Sequence, residues 1–545
     1  MNTILQKCLQ FPTRFFLICF GALLFFPMLD GVHLFDWDEI NFAESAREML
    51  ITGNWRTVQI NFEVFHEKPP FFIWLQALSM KYWGVNEYAA RFPNAVCGVL
   101  TMMIVWAIGK ELYGGRFGTY WALLFACSLL PQMYFKSGII DPFFNLFTFL
   151  GIYFIYKISF FNEFEDRKTK SRKRSSFLFL SALFIGLAIL TKGPVAMLIL
   201  MLTVSIVFVW NRGKIAVDIK QFLIWLLVII VVVLLWISFA MRDSGLKFLD
   251  DFIHYQIRLL TTQDAGHGGP FYYHILVLFF GCFPASIFAI AGFKKDNSDG
   301  FAQDTFRKWM IVLLAVVVVV FSIVQTKIIH YSSLAYFPLT FFGAYYLDKV
   351  MDGKFSMKGW IIMLLSVVGL LLMAALLLLP QIALLLPKIE PYIKDPFASE
   401  AMHAKVYWSK SDFIPGIIFS CLFTVSILMF ITSKLKQAIA TLLFSMALFT
   451  QFFMVWFLPR IERYSQGAMI DFIQEKATEN CRIEPMAFKS YAHLFYGKQQ
   501  PAQSYPDSAA HYYITKTHRL EVVKTWVDAE EVGRKNGFVF LKKRQ

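Results

Sequence analysis

The stretch Arg167–Trp210, RKTKSRKRSSFLFLSALFIGLAILTKGPVAMLILMLTVSIVFVW, decides how this chain folds. It opens on a block of lysine and arginine and continues into two apolar runs, 175–191 and 194–211, separated only by Thr191-Lys192-Gly193-Pro194. Apolar runs of about 17–25 residues cross a bilayer as helices. A short loop dense in Lys and Arg between such runs stays in the cytoplasm. The stretch therefore reads as a cytoplasmic loop, a span, a tight turn on the far face and a second span returning.

The rest of the chain repeats this pattern. Apolar runs lie near 14–30, 88–109, 116–135, 141–160, 175–191, 194–211, 221–241, 273–293, 308–326, 328–347, 359–380, 412–432 and 437–457, about thirteen spans in all. Other basic residues, Arg212 and Lys214, Lys294 and Lys295, Lys349, Lys354 and Lys358, and Lys434 and Lys436, fall in alternate loops, as one consistent topology requires. Only 17% of residues are charged and 57% are hydrophobic; soluble chains carry about a quarter charged residues. A soluble multidomain enzyme is thereby excluded. Because the net charge of +14 is accounted for by these loops, it does not indicate a nucleic-acid partner. Most cysteines sit inside apolar runs, and Cys481 stands alone in the tail, so neither a disulfide framework nor a metal-type cysteine spacing is expected. The first apolar run lacks a small-residue cleavage site and reads as a retained helix.

With the N-terminus inside, the segments 31–87, 242–272, 381–411 and everything beyond 458 are exported. The expected architecture is an all-α polytopic membrane domain, 1–457, whose exported loop 31–87 is catalytic. A small α/β extracytoplasmic domain, 458–545, follows it. In that tail a helix is expected near 463–478 and strands near 483–488, 511–515 and 537–542.

Charged residues crowd the exported face. Asp36-Trp37-Asp38-Glu39 opens a helix that runs through Glu44 and Arg47 and stops at Gly53. Asp36 is placed to cap it, and Glu39 either closes a capping box or joins Asp38 as a site acid. Asp38, free of the capping task, either faces substrate or is a solvated first-turn acid. In Phe65-His66-Glu67-Lys68-Pro69-Pro70 the prolines permit a new helix and hold Glu67 and Lys68 at the membrane surface. There Lys68 either meets a lipid phosphate or snorkels. Asp141 before Pro142, Lys192 in its turn, and Lys327 with His330 and Tyr331 complete the set. Ionisable groups at the hydrocarbon edge are costly and mark substrate or ion paths.

These residues also carry a resemblance. Asp38-Glu39 with Ala43-Glu44 and Arg47-Glu48-Met49, Gly53-Asn54-Trp55, Glu67-Lys68-Pro69-Pro70, Gly84-Val85-Asn86-Glu87 and Arg91 resemble the bacterial aminoarabinose transferase and protein-mannosyltransferase-like family. Asp141, Leu190-Thr191-Lys192-Gly193-Pro194 and Lys327 with His330-Tyr331 continue it in order. The resemblance implies a GT-C fold, an undecaprenyl-phosphate sugar donor, and an acceptor reached from the periplasm of the inner membrane, often lipid A. It implies that Asp38 and Asp141 are cavity acids and that Lys68 and Lys192 lie near the donor phosphate. Asn41-Phe42 stands where many relatives have Arg-Tyr, so the sugar or acceptor is expected to differ.

Chemically, departure of a polyprenyl phosphate needs fixed cations, for which Lys68, Lys192, Lys327 and Arg258 are the candidates. Asp38 either deprotonates an acceptor hydroxyl or orients an acceptor already anionic. The loop with Asp250, Asp251, His254, Arg258, Asp264 and His267 offers acids and histidines for a divalent metal, without convincing ligand spacing; its glycines suit a mobile lid. The alternative class is a lipid or glycan transporter or flippase, which tends to show repeated halves and midplane breaks. No such repeat is visible here.

Overall fold

The computed structural model describes residues 2–159, 167–211, 219–245, 247–261, 268–506 and 508–544. The protein is predominantly helical, with a two-stranded ribbon in the loop 31–87 and a four-stranded sheet near the C-terminus. Among the described residues seven helices are long and apolar enough to cross a bilayer. They are Glu87–Tyr113, Arg172–Lys192, Ile219–Arg242, Phe301–Ile323, Gly359–Gln381, Lys410–Ile431 and Leu435–Arg463. The pair Tyr273–Gly281 and Ala285–Gly292, bent by 109° about Phe283-Pro284, makes an eighth if it is one span. Ile219–Arg242 exposes Leu223, Ile224, Leu227, Leu234 and Leu235. In water such a surface would aggregate; in lipid it is the expected exterior. The chain is a multi-pass membrane protein.

The loop 31–87 folds as its sequence suggests, with one correction. A helix covers Asp38–Thr52 and ends at Gly53, whose φ of +68° is the left-handed cap that glycine adopts without strain. Another covers Phe71–Trp83, directly after Pro70. The expected capping box at Asp36 does not form. Trp37 occupies the N-cap without a side-chain bond. Asp36 faces the tail instead, and Glu39 turns toward Arg91.

In the tail, helix Gly467–Lys476 and strands Arg482–Pro485, His511–Lys516 and Phe538–Lys543 appear where expected. Sequence reading misses strand Ala529–Lys535, because AEEVGRK has no apolar alternation. Only its antiparallel pairing with Phe538–Lys543 makes it a strand. Strand Arg482–Pro485 runs parallel to His511–Lys516, which in turn pairs antiparallel with Phe538–Lys543. The two faces of the last strand divide its side chains by the period of two. Val539 and Leu541 pack with Tyr513, Leu520 and Val523 in a small core. Phe538 and Phe540 join the core shared with the membrane helices, Phe540 stacking on Phe472 at 4.1 Å.

Candidate functional site

Three helix ends and a short turn meet on one side of the molecule. Asp38 begins helix Asp38–Thr52, Asp141 begins Asp141–Ser159, Lys192 ends Arg167–Lys192, and His330 lies in the short turn Ile329–Ala335. Each acid thus stands at a helix N-terminus and the lysine at a helix C-terminus, where the backbone dipoles favour those charges. Gly193, at φ +90°, lets the chain turn immediately after Lys192.

Lys192 Nζ lies 2.5 Å from Asp141 Oδ1 and 4.8 Å from the centre of the Tyr331 ring. His330 Nε2 stands between the two acids, 3.5 Å from Asp38 Oδ2 and 3.8 Å from Asp141 Oδ2. Asp141 is 1% exposed and Asp38 28%. A buried carboxylate without a paired cation is costly, and Lys192 supplies the pairing. Asp38 is the acid of this group that solvent or substrate reaches. Lys68, half-buried on the Glu67–Pro69 turn, is close enough to act electrostatically on His330. The structure therefore assembles Asp38, Asp141, Lys192, His330, Tyr331 and Lys68 in one neighbourhood.

At its edge, helix Lys247–Thr261 is tied to the Glu67–Pro69 turn. Asp251 meets His66 at 2.7 Å and Arg258 meets Glu67 at 3.4 Å, while Phe248 and Phe252 pack on Trp236. Arg258 and Glu67 thus form an exposed pair at the rim. His254 pairs with Asp250 in one exposed helical turn at 3.4 Å. Asp264, Gly266 and His267 lie outside the described residues. Among the described residues no three His, Cys, Asp or Glu side chains converge to hold a metal ion.

Three expected site residues have other partners. Both oxygens of Glu39 are doubly engaged, by Arg91 at 2.8 and 2.9 Å and by the amides of Phe35 at 2.9 Å and Gly138 at 2.5 Å. Burial alone would raise its carboxyl; Arg91 and those amides more than reverse this and hold it below the ordinary range. Arg91 also donates to the carbonyls of Leu29, Val32 and His33, so the pair clamps the loop that leads into Asp38. Arg47 is bound by Glu44 and by the carbonyl of Gln499 at 2.8 Å, fastening the loop to the tail. Lys327 donates to the carbonyls of Phe321 at 3.2 Å, Ser322 at 2.6 Å and Val324 at 2.5 Å. It caps the end of helix Phe301–Ile323, where orphan carbonyls need donors.

Sequence reading overlooks Lys136. It is 1% exposed, donating to the Pro27 carbonyl at 2.6 Å and to Gln451 Oε1 at 3.2 Å. A lysine five residues before Asp141 in an apolar run is the signal that was there to find. The tail covers the loop through several contacts. Leu34 N donates to Tyr496 Oη at 2.6 Å, Gln466 Nε2 to the Leu34 carbonyl at 2.8 Å, and Trp37 packs on Tyr491. Asp36, half-buried at this junction, is pushed up to about 6 by desolvation, which bonds from Ser490 and Tyr491 offset only in part.

Comparison with known proteins gives a consistent result. A family model described as dolichyl-phosphate-mannose-protein mannosyltransferase matches residues 67–237. An undecaprenyl phosphate-alpha-4-amino-4-deoxy-L-arabinose arabinosyl transferase of Pectobacterium carotovorum is 25% identical over 366 residues, 65% of this chain and 63% of that protein. One of the same description from Shewanella sediminis is 25% identical over 322 residues, 57% of this chain and 55% of that one. The chain thus spans about three fifths of the length of the curated relatives it matches. In fold, it is similar to ArnT from Cupriavidus metallidurans bound to undecaprenyl phosphate. The TM-score is 0.75 at 17% identity, with 97% of each chain covered. The oligosaccharyltransferase of Archaeoglobus fulgidus shares the fold more distantly, at TM-score 0.51 and 11% identity, over 89% of this chain and 63% of that one. In sequence the chain is similar to the aminoarabinose transferases and to the mannosyltransferase family model, and in fold to ArnT.

Proposed function

We propose that this chain is a glycosyltransferase that moves a sugar from a polyprenyl-phosphate donor to a cell-envelope acceptor, lipid A or another glycan or protein, at the periplasmic face of the inner membrane. The observation that carries the reading is the assembly of Asp38, His330, Asp141 and Lys192, with Lys68 at its lip. Relatives named for transfer from undecaprenyl phosphate-linked aminoarabinose, and a structure of the same fold bound to undecaprenyl phosphate, support the donor class.

In this reading an acceptor oxygen attacks the anomeric carbon with inversion, and the bond from that carbon to the phosphate oxygen breaks. The electron pair leaves with the polyprenyl phosphate. Lys68 faces that phosphate, and a fixed cation in a poorly hydrated site stabilises its growing charge. Arg258, bound to Glu67 at the rim, assists at the donor's entry. Lys192 balances Asp141 and orders Tyr331 beneath it. Asp38 takes the proton of an acceptor hydroxyl; a phosphate acceptor carries none, and Asp38 then orients it. His330 stands between the two acids and keeps their charges apart. Glu39, Arg47 and Lys327 are positioning residues in this scheme, holding the loop, the tail and a helix end. No step runs through a metal.

The thirteen-span topology, with 1–457 as the membrane domain and 458–545 as an exported domain, belongs to the same proposal. Helical elements at Pro12–Phe25, Gly115–Tyr134, Asp141–Ser159, Val195–Trp210 and Ile329–Met351, added to the seven long helices and the bent pair, support that count. Purified protein given a polyprenyl-phosphate sugar and an envelope extract is expected to yield glycosylated product and free polyprenyl phosphate. Lipid translocation in proteoliposomes without sugar transfer would instead establish a flippase.

A further inference from the structure

The turn that carries His330 and Tyr331, Ile329–Ala335, is wound as a 3₁₀ helix before it passes into helix Tyr336–Met351. Hydrogen bonds in such turns are poorly aligned, so the backbone alone holds this one loosely. Helix Asp141–Ser159 supplies what the turn lacks. Residues four apart on a helix lie on one face, and Asp141, Asn145 and Phe149 form such a row. Asp141 Oδ2 stands 3.8 Å from His330 Nε2, Asn145 Nδ2 donates to Ser333 Oγ at 2.7 Å, and Phe149 stacks on Phe337 at 4.1 Å. The row thus meets the turn near its start, in its middle and just past its end.

The middle contact reaches the site. Ser333 Oγ accepts from Asn145 and donates in turn to the carbonyl of His330. One hydroxyl therefore joins the helix that begins at Asp141 to the residue whose ring lies between Asp141 and Asp38. On the other flank, His274 Nδ1 and Ser332 Oγ share a hydrogen bond of 3.1 Å. All four side chains are buried. A buried hydrogen-bonded pair gains little stability over two apolar groups of the same shape. What it adds is direction, because a satisfied buried network fixes one arrangement. The stacked rings of Phe149 and Phe337 impose no comparable register on the His330 carbonyl.

We propose that Asn145, acting through Ser333, is a positioning residue that sets the place of the His330 imidazole between Asp38 and Asp141. This role rests on the reading that the Asp38 group carries out sugar transfer. A misplacement of about 1 Å at such a site costs up to about a hundredfold in rate.

The test is steady-state transfer by the purified full chain, with a polyprenyl-phosphate sugar and an envelope extract. Asn145→Leu keeps the size of the side chain and leaves Ser333 able to bond the His330 carbonyl, so only the tie to the helix is lost. It should lower kcat by about ten- to a hundredfold and leave KM for the donor unchanged. Because Asn145 works through His330, adding Asn145→Leu to His330→Gln should cost little further turnover. Normal kcat in Asn145→Leu, a raised KM, or an undiminished further loss in the His330→Gln background overturns the proposal. Should Asn145→Leu fail to fold, Ser333→Ala, smaller by one oxygen, takes its place with the same expected outcomes. Normal turnover by His330→Gln refutes the part of His330 in transfer, and the positioning role falls with it. Impaired His330→Gln beside a fully active Asn145→Leu refutes the positioning role alone.

Discussion

Replacing Glu39 by Gln separates a structural from a chemical role for this acid. Glu39 and Arg91 are 5% and 3% exposed, so the substitution leaves the guanidinium charge buried without its counter-charge. Removing one partner of a buried ion pair costs about 3–5 kcal/mol. The amides of Phe35 and Gly138 lie on different oxygens of Glu39, so one of them then faces an NH₂ group. Asp38, more exposed and held by a 3.5 Å pair with His330, should cost under about 1 kcal/mol as Asn. Cys97, Cys127 and Cys282 are buried. With the exposed Cys19 and Cys421 replaced by Ser, a thiol-reactive dye therefore reports thermal unfolding in detergent. Glu39→Gln should lower the unfolding temperature far more than Asp38→Asn. Acid adds a second signature. Because the folded-state carboxyl lies below its ordinary value, Glu39 stabilises fully above the ordinary carboxylate range. That contribution is lost as pH falls through the lower folded value, so the variant should lose that part of the acid dependence. A Glu39→Gln protein that unfolds like wild type but has lost transfer a hundredfold would refute the clamp and return Glu39 to the chemistry.

In transfer assays Asp38→Asn should lower turnover by about two to four powers of ten if Asp38 acts as a base. Lys68→Met should weaken donor binding and turnover together; near-normal transfer by both would remove them from the site. Lys192→Met should destabilise by about 3–5 kcal/mol by leaving Asp141 buried and unbalanced. Adding Asp141→Asn should recover part of that loss in a double-mutant cycle, and strict additivity would contradict the pairing. Lys327→Met should lower stability by about 1–3 kcal/mol while leaving KM for the donor unchanged, whereas a raised KM would place Lys327 at the phosphate. In a cysteine-free background, a cysteine at position 68 should be labelled from outside intact cells and one at 174 should not. The reverse pattern would invert the topology.

The class of this protein was legible from one chemical fact. Apolar runs long enough to span hydrocarbon, separated by loops sorted by charge, have no stable place except a bilayer, and Arg167–Trp210 alone shows the pattern. Local rules also sufficed where the decisive atoms are close in sequence, as in the helix ending at Gly53 and the helix after Pro70. The gathering of Asp38, Asp141, Lys192 and His330 was suggested by their shared face, but their distances are a property of packing. What sequence could not divide was the list of charges itself. Asp38 and Glu39 are adjacent acids on one helix turn, yet one faces the His330 group and the other is locked to Arg91, 52 residues away. Lys68 and Lys327 both stand beside apolar runs, but the ammonium of the second is taken up by three backbone carbonyls. Strand Ala529–Lys535 likewise exists only because a neighbour pairs with it. The price of hydrocarbon tells that a charge at its edge has a partner; which partner depends on helices brought together from distant parts of the chain, and only the tertiary structure decides it.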